Sequence, residues 1–462
     1  MPTCTYNAVS MLTDFFAADD IEATARRTGF VKRASKITGK LFLALVTFGT
    51  WSEAKTTLAQ LAAKVTHLDQ HVEVSPEAIH QRMNQKAIAF LQDMIRQALA
   101  KVHSRECVCD DGLFTHFTTV YRADSTGFEL PEELHKTFPG SGGSAAKAGA
   151  KIQAVWDYTG SVFGHFARTP WNIPDQRSID IVGGLAQQGR LFLFDLGYCK
   201  LTAFSRLATD GAYFFSRLNH QTTLLTTAAG RWQPGELARW LTTVEGQLLE
   251  RPIFRGAKER LASRLMASRL PEAIVNERRR KAKKKAKQKG YTPSQAYLTL
   301  LAWNLFITNV PHTIWQTDTV VTEYPWRWQI ELIFKSWKSY LHLAVLTTTK
   351  EDTTFCSLYG RMLLIVLTSA LCPQLRAHRW GTKKRELSLL KLVRHFQALA
   401  ASWMPAIFQS ELAWRRFLTH ACHTAERLVA KALRTRRTTA QILRENLSRH
   451  QESITCAEAV NA

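Results

Sequence analysis

The 462-residue chain is long enough for two or three domains, and its 45% apolar content is that of ordinary globular protein. Its 61 Lys and Arg against 38 Asp and Glu leave a formal charge of +23, which calls for a polyanionic partner, since each neutralised phosphate releases condensed counterions. Eight scattered cysteines exclude a disulfide framework and a CxxC zinc site. The first thirty residues lack a signal pattern, and the longest apolar runs, 41–46 and 362–372, are too short to span a bilayer, so a cytoplasmic protein without a membrane partner is expected.

Residues 1–105 read as helical. Leu58, Leu61, Ala62 and Val65 recur at helical spacing, and Ser75-Pro76 has the form of an N-cap followed by a first-turn proline. Two helices joined across 68–74 suit either a helix-turn-helix or a small packing bundle. In the first case the second helix, with His80, Gln81, Arg82 and Asn84, reads DNA. From residue 113 the pattern turns to strands. Residues 117–124 form one that closes at Asp124, and 152–158 pairs with 161–168 as a hairpin about Thr159-Gly160. Leu191–Phe194 is the continuous apolar run of a strand buried on both faces, and it ends at Asp195. A helix over 201–209 and a strand over 212–218 follow.

Residues 219–320 look inserted, with strand-like pieces, a basic run from Arg278, Arg279, Arg280 and Lys281 to Lys289, and a strand over 297–308. A charge run is commonly a solvated helix face; in so basic a chain phosphate contact is favoured. Beyond 351 the chain is helical, with basic residues clustered over 431–449. The domains expected are a helical DNA-binding region at 1–105, a catalytic α/β domain at 113–372 and a helical region at 373–462.

Three acidic residues stand out by position. Asp124 and Asp195 sit at predicted strand ends, where an unpaired charge costs several kcal/mol and is rarely a packing choice. A long helix begins near Tyr324-Pro325, and at 100° per residue Tyr324, Arg327, Glu331 and Lys338 fall within an arc of roughly 60°. Ile330, Ile333, Phe334, Trp337 and Leu341 occupy the neighbouring face and anchor the helix. A salt-bridge ladder on an exposed face accounts poorly for Tyr and Arg on that edge.

Tyr324-x2-Arg327-x3-Glu331-x6-Lys338 resembles the signature of bacterial insertion-sequence transposases, the insertion-sequence-four group in particular. Asp124-Ser-Thr with the following Gly-Ser-Gly-Gly loop, and Phe194-Asp195-Leu-Gly-Tyr with Phe215-Ser-Arg-Leu downstream, resemble the segments around that family's two catalytic aspartates. Leu196 departs from members that carry Arg after the second Asp. The resemblance implies an RNase H-like α/β core with a β-rich insertion, in which Asp124, Asp195 and Glu331 hold two Mg²⁺ or Mn²⁺ ions. It further implies cleavage at terminal inverted repeats of double-stranded DNA, strand transfer to target DNA, and a homodimeric synaptic complex. Tyr324, Arg327 and Lys338 are then phosphate contacts, and Trp303 stacks a flipped base or is simply a core tryptophan. The competing readings are a non-catalytic DNA-binding regulator and an RNase H-like nuclease without strand transfer.

Overall fold

In the computed structural model, residues 3–103, 114, 116–142, 146–158, 162–218, 224–225, 235–317, 329–346, 348–383 and 387–429 are described. The chain divides into two compact units that interleave along the sequence. One comprises 1–110, 125–173 and 329–436, the other 111–124, 174–328 and 437–462.

The first unit begins with helices α1 (Thr3–Phe15), α2 (Ala18–Arg27), α3 (Gly39–Ala44, continued as a π-helical turn over Leu45–Gly49), α4 (Leu58–Leu68), α5 (Pro76–Arg82) and α6 (Gln85–His103). Capping fixes where they start. Thr57 and Gln60 form a reciprocal capping box on α4, and the Ser75 hydroxyl accepts from the Ala78 amide, with Pro76 in the first turn of α5. The hairpin of β2 (Ala148–Asp157) and β3 (Val162–Pro170) is antiparallel, as its alternation predicts, with an irregularity at Val155/Trp156. Its proposed turn, 159–161, lies outside the described residues. Five further helices complete the unit: α11 (Gln329–Tyr340), α12 (Glu351–Lys383), α13 (Leu389–Ala398), α14 (Ala400–Gln409) and α15 (Glu411–Leu428).

The helices from the two ends of the sequence share one core. Phe48 stacks on Trp403 with centroids 5.1 Å apart, Trp51 lies 5.5 Å from Trp403, and Phe16 meets Trp414 edge-on at 5.9 Å. The apolar stretch of α12 runs over Glu351–Leu371, longer than the 362–372 run read from the sequence and long enough by composition to cross a membrane; 89% of it is buried inside the protein.

The second unit holds the opening residues of β1 (Thr119–Leu130), then β4 (Arg190–Phe194), α7 (Leu201–Thr209) and β5 (Tyr213–Arg217). After these come β6 (Leu224–Leu225), α8 (Glu236–Thr243), β7 (Leu248–Arg255), β8 (Leu261–Arg269), α9 (Glu272–Gln288), α10 (Gln295–Leu300) and β9 (Trp303–Thr308). The strand order is β3-β2-β1-β4-β5-β9-β8-β7-β6, with β1 the strand common to both units. β1, β4 and β5 are mutually parallel; β9, β8 and β7 continue antiparallel. The fold is therefore mixed α/β.

Two sequence expectations need correcting. β1 does not close at Asp124 but runs on to Leu130, because Thr126, Phe128 and Leu130 keep one face apolar or small enough to stay buried. The strand expected over 297–308 is split: Ser294 caps a short helix through the Tyr297 amide, and β9 starts only at Trp303.

Candidate active site

Register brings two of the predicted carboxylates together. Ala123 on β1 pairs with Phe194 on β4, and Phe194 with Ser216 on β5. Asp124 follows Ala123 on β1, Asp195 stands just past the end of β4, and Arg217 closes β5. Neighbouring strands lie about 4.8 Å apart, so these three positions are neighbours in a row along one edge of the parallel strands. The backbone beneath the row is rigid: Val120, Leu191, Phe192, Phe194 and Phe214 are completely buried. Arg122, two residues before Asp124 and on the same face, is 1% exposed. Asp124 and Asp195 are themselves half-buried at the rim of this core.

Arg217 had been noted only as part of a flanking motif. Its visible signal is a cation closing an apolar strand directly after the strand of Asp195, but its place beside the carboxylates depends on register. It also acts on the basic helix. Arg278 has its pKa lowered by burial and then by the nearby positive charge of Arg217. Arg278 donates to Asn304 Oδ1 at 3.0 Å and to the Trp303 carbonyl at 3.5 Å, and Arg279 Nε donates to the Leu298 carbonyl. These two residues thus fold back onto the second unit, while Arg280 and the following lysines face solvent; Lys281 pairs with Glu277 across one turn. Trp303 is 6% exposed, 6.0 Å from the Arg269 guanidinium. Burial of this kind suits the packing role weighed for it.

Glu331 and Lys338 lie on α11 of the first unit, both exposed on one face, while Ile330, Ile333, Phe334, Trp337 and Leu341 are all buried as the periodicity predicts. Trp337 is anchored against Phe163 and Phe166 of β3. The Lys338 ammonium donates to the Gly127 carbonyl at 2.7 Å, three residues beyond Asp124 on β1, and partial burial lowers its pKa. Gly127 and Gly149 leave no room for a Cβ, because the Trp171 indole occupies that space. Tyr324 and Arg327 lie outside the described residues, as does the basic cluster over 431–449.

Paired carboxylates with hard oxygen donors on a rigid sheet suit a divalent cation such as Mg²⁺. Among the described residues no group of three or more His, Cys, Asp or Glu is close enough to hold a metal on its own.

A basic chain with carboxylates at neighbouring strand ends of a parallel sheet suits a polyanionic substrate, and comparison with known proteins defines the class. The chain belongs to the family described as Transposase DDE domain, which matches residues 115–367, over half its length. It is a DNA transposase, an enzyme of a family that depends on divalent metal. Relatives include the transposases for insertion sequence elements IS231B and IS231D of Bacillus thuringiensis, 28% and 29% identical, each alignment covering 82% of both chains. The transposase for IS1151 of Clostridium perfringens is 27% identical over 93% of this chain and 94% of its own. A solved piggyBac transposase synaptic complex with hairpin DNA aligns over 95% of this chain and 84% of its own, at 11% identity and a TM-score of 0.41, too weak a likeness to inform the fold.

Proposed function

We propose that the chain is a cut-and-paste transposase of the insertion-sequence-four group, built on an RNase H-like core, with Asp124, Asp195 and Glu331 as its catalytic carboxylates. The observation that carries this reading is the register of Ala123 with Phe194 on adjacent parallel strands, one residue before Asp124 and Asp195. The order β3-β2-β1-β4-β5, with β2 and β3 antiparallel and β4 and β5 running parallel to β1, supports the core assignment.

Asp124 and Asp195, with Glu331, would hold two Mg²⁺ or Mn²⁺ ions. When bound, such a pair activates the attacking oxygen and stabilises the leaving one in an in-line displacement. The chain's own residues do the rest. Arg217, at the end of the carboxylate row, offers a planar fork of donors to the scissile phosphate, and Lys338 a point charge. Tyr324 and Arg327 grip adjoining phosphates, and the exposed part of the basic helix, including Arg280 and Lys281, follows the duplex backbone. Trp303 serves as a base platform only if DNA binding uncovers it. The substrates are the terminal inverted repeats and then target DNA, handled by a homodimer, with a hairpin formed at the transposon end between the two reactions.

The test is cleavage of a labelled duplex carrying the flanking inverted repeat with Mg²⁺, comparing the wild type with Glu331→Ala. Cleavage lost in the variant with DNA binding retained supports the assignment. Equal cleavage by both proteins removes Glu331 from the site.

A further inference from the structure

Arg82, a base reader only if α4 and α5 form a helix-turn-helix, is committed elsewhere. It donates to the Phe30 carbonyl at 3.2 Å and to the Ile37 carbonyl at 2.8 Å, and its guanidinium lies 4.6 Å from the centroid of the Phe30 ring. One side chain therefore ties both ends of the segment 31–36 to α5. Phe30 is in turn fixed by stacking on Phe90 of α6 at 5.1 Å. Between these ends Lys32, Arg33, Ala34, Ser35 and Lys36 are all exposed. The segment is a loop held at its base with its cations outward.

Lys86, in the first turn of α6, adds to the same surface. Its Cδ packs 3.8 Å from the position a side chain on Gly29 would take, just before the loop. The neighbouring Lys32 side chain, and then its positive charge, lowers the Lys86 pKa although the side chain is open to solvent. Among the described residues, none of Lys32, Arg33 and Lys86 makes an ion pair with a carboxylate. Lys36 is held on the Glu73 carbonyl at 3.3 Å. Behind the loop a cleft of about 800 Å³ opens towards α4 and α5, lined by Ser35, Lys36, Thr66, Glu73, Ser75 and Gln81 among others. Like charges held together on an anchored loop repel one another until an anion comes between them, and a polyanion does so at several points at once.

We propose that the Arg82-tied loop 31–36, together with Lys86, is a phosphate-binding surface for duplex DNA, distinct in the chain from the carboxylate-bearing strands. The proposal rests on the transposase reading and adds a second, sequence-independent grip on the duplex backbone. It assigns Arg82 to positioning the loop, and the contacts to Lys32, Arg33 and Lys86.

The test uses the full chain and two duplexes, one carrying the inverted repeat and one of random sequence, with affinity measured by fluorescence anisotropy across a salt series. Each phosphate contact contributes about 0.9 to the slope of log affinity against log salt. Lys32→Gln/Arg33→Gln/Lys86→Gln is expected to lower that slope by roughly 2.7 on both duplexes, and to weaken binding to both by a similar factor. Its melting temperature should equal or exceed the wild type's, because like-charge repulsion has been removed. The Lys32→Arg/Lys86→Arg variant is expected to keep the wild-type slope. An unchanged slope in the Gln variant overturns the proposal, as does weakening confined to the inverted repeat, which is the mark of a base reader. A wild type that binds neither duplex would instead defeat the DNA reading on which the proposal rests.

Discussion

Asp195 and Arg217 illustrate what one chain position reveals by itself. The position of Asp195 is legible because four apolar residues in a row define a strand buried on both faces, directly before it. Arg217 was not, because nothing along the sequence states that β5 follows β4 in register; that fact is long-range. Asp195→Asn is expected to abolish strand cleavage while leaving DNA affinity equal or higher, since it removes negative charge facing phosphate. A gel assay for cleavage beside an anisotropy titration checks both halves. Arg217→Ala should slow single-turnover cleavage by roughly 10²-fold, the usual consequence of losing one placed donor. Arg217→Lys should recover only part of it, having the charge without the fork. Equal rates for all three proteins would show that the arginine serves the sheet and not the reaction.

Among the elements, the β7–β8 hairpin shows how the inserted segment is tied to the strands it interrupts. Arg264 on β8 forms a two-point pair with Glu250 on β7, at 2.6 and 2.8 Å, and the same guanidinium donates to the carbonyls of Val310 and Trp315 at 2.8 and 2.9 Å. Thr317 adds a hydroxyl to Glu250. Trp315 in turn packs against Phe117 and Phe215, beneath the strands of the carboxylate row. Burial alone would raise the Glu250 pKa, but the hydrogen bonds from Arg264 and Thr317 and the charges of Arg264 and His312 outweigh it and hold it below the ordinary 4.5. A carboxyl depressed on folding stabilises the protein above its unfolded value and loses that contribution as pH falls through the folded one. The stability difference between wild type and Glu250→Gln in urea is therefore expected to be full at neutral pH and to shrink below pH 4.5. Arg264→Ala, which strands a partly buried carboxylate, should cost about 2–4 kcal/mol. The sequence marks only strand-like pieces in this segment. It misplaced the start of β9, because Ser294 as a cap competes with a run of residues that also suits a strand.

For the whole molecule, the linear reading of domains separates what the fold joins. Residues 1–105 look self-sufficient as helices, yet Phe16, Phe48 and Trp51 are buried against Trp414 and Trp403, more than 350 positions along the chain. Helical periodicity shows that a face is apolar and says nothing about what covers it. A fragment of residues 1–105 is accordingly expected to lack a cooperative thermal transition by circular dichroism, whereas the full chain shows one. A sharp melt of the fragment would mean that its own helices bury those aromatics without help.

The interleaved build also sets a timetable. The ribosome releases the helix ending at His103 roughly 325 residues before Leu428, and at about 5–20 residues per second that interval is on the order of 15–65 s. For that time the early helices wait with their aromatic faces uncovered. A message broken anywhere in between yields a polypeptide with exposed apolar surface and no finished core, fit for proteolysis rather than for occupying transposon ends. A chain that stops short of Trp403 and Trp414 lacks the partners of Phe16, Phe48 and Trp51, so completeness of translation decides whether that core can form.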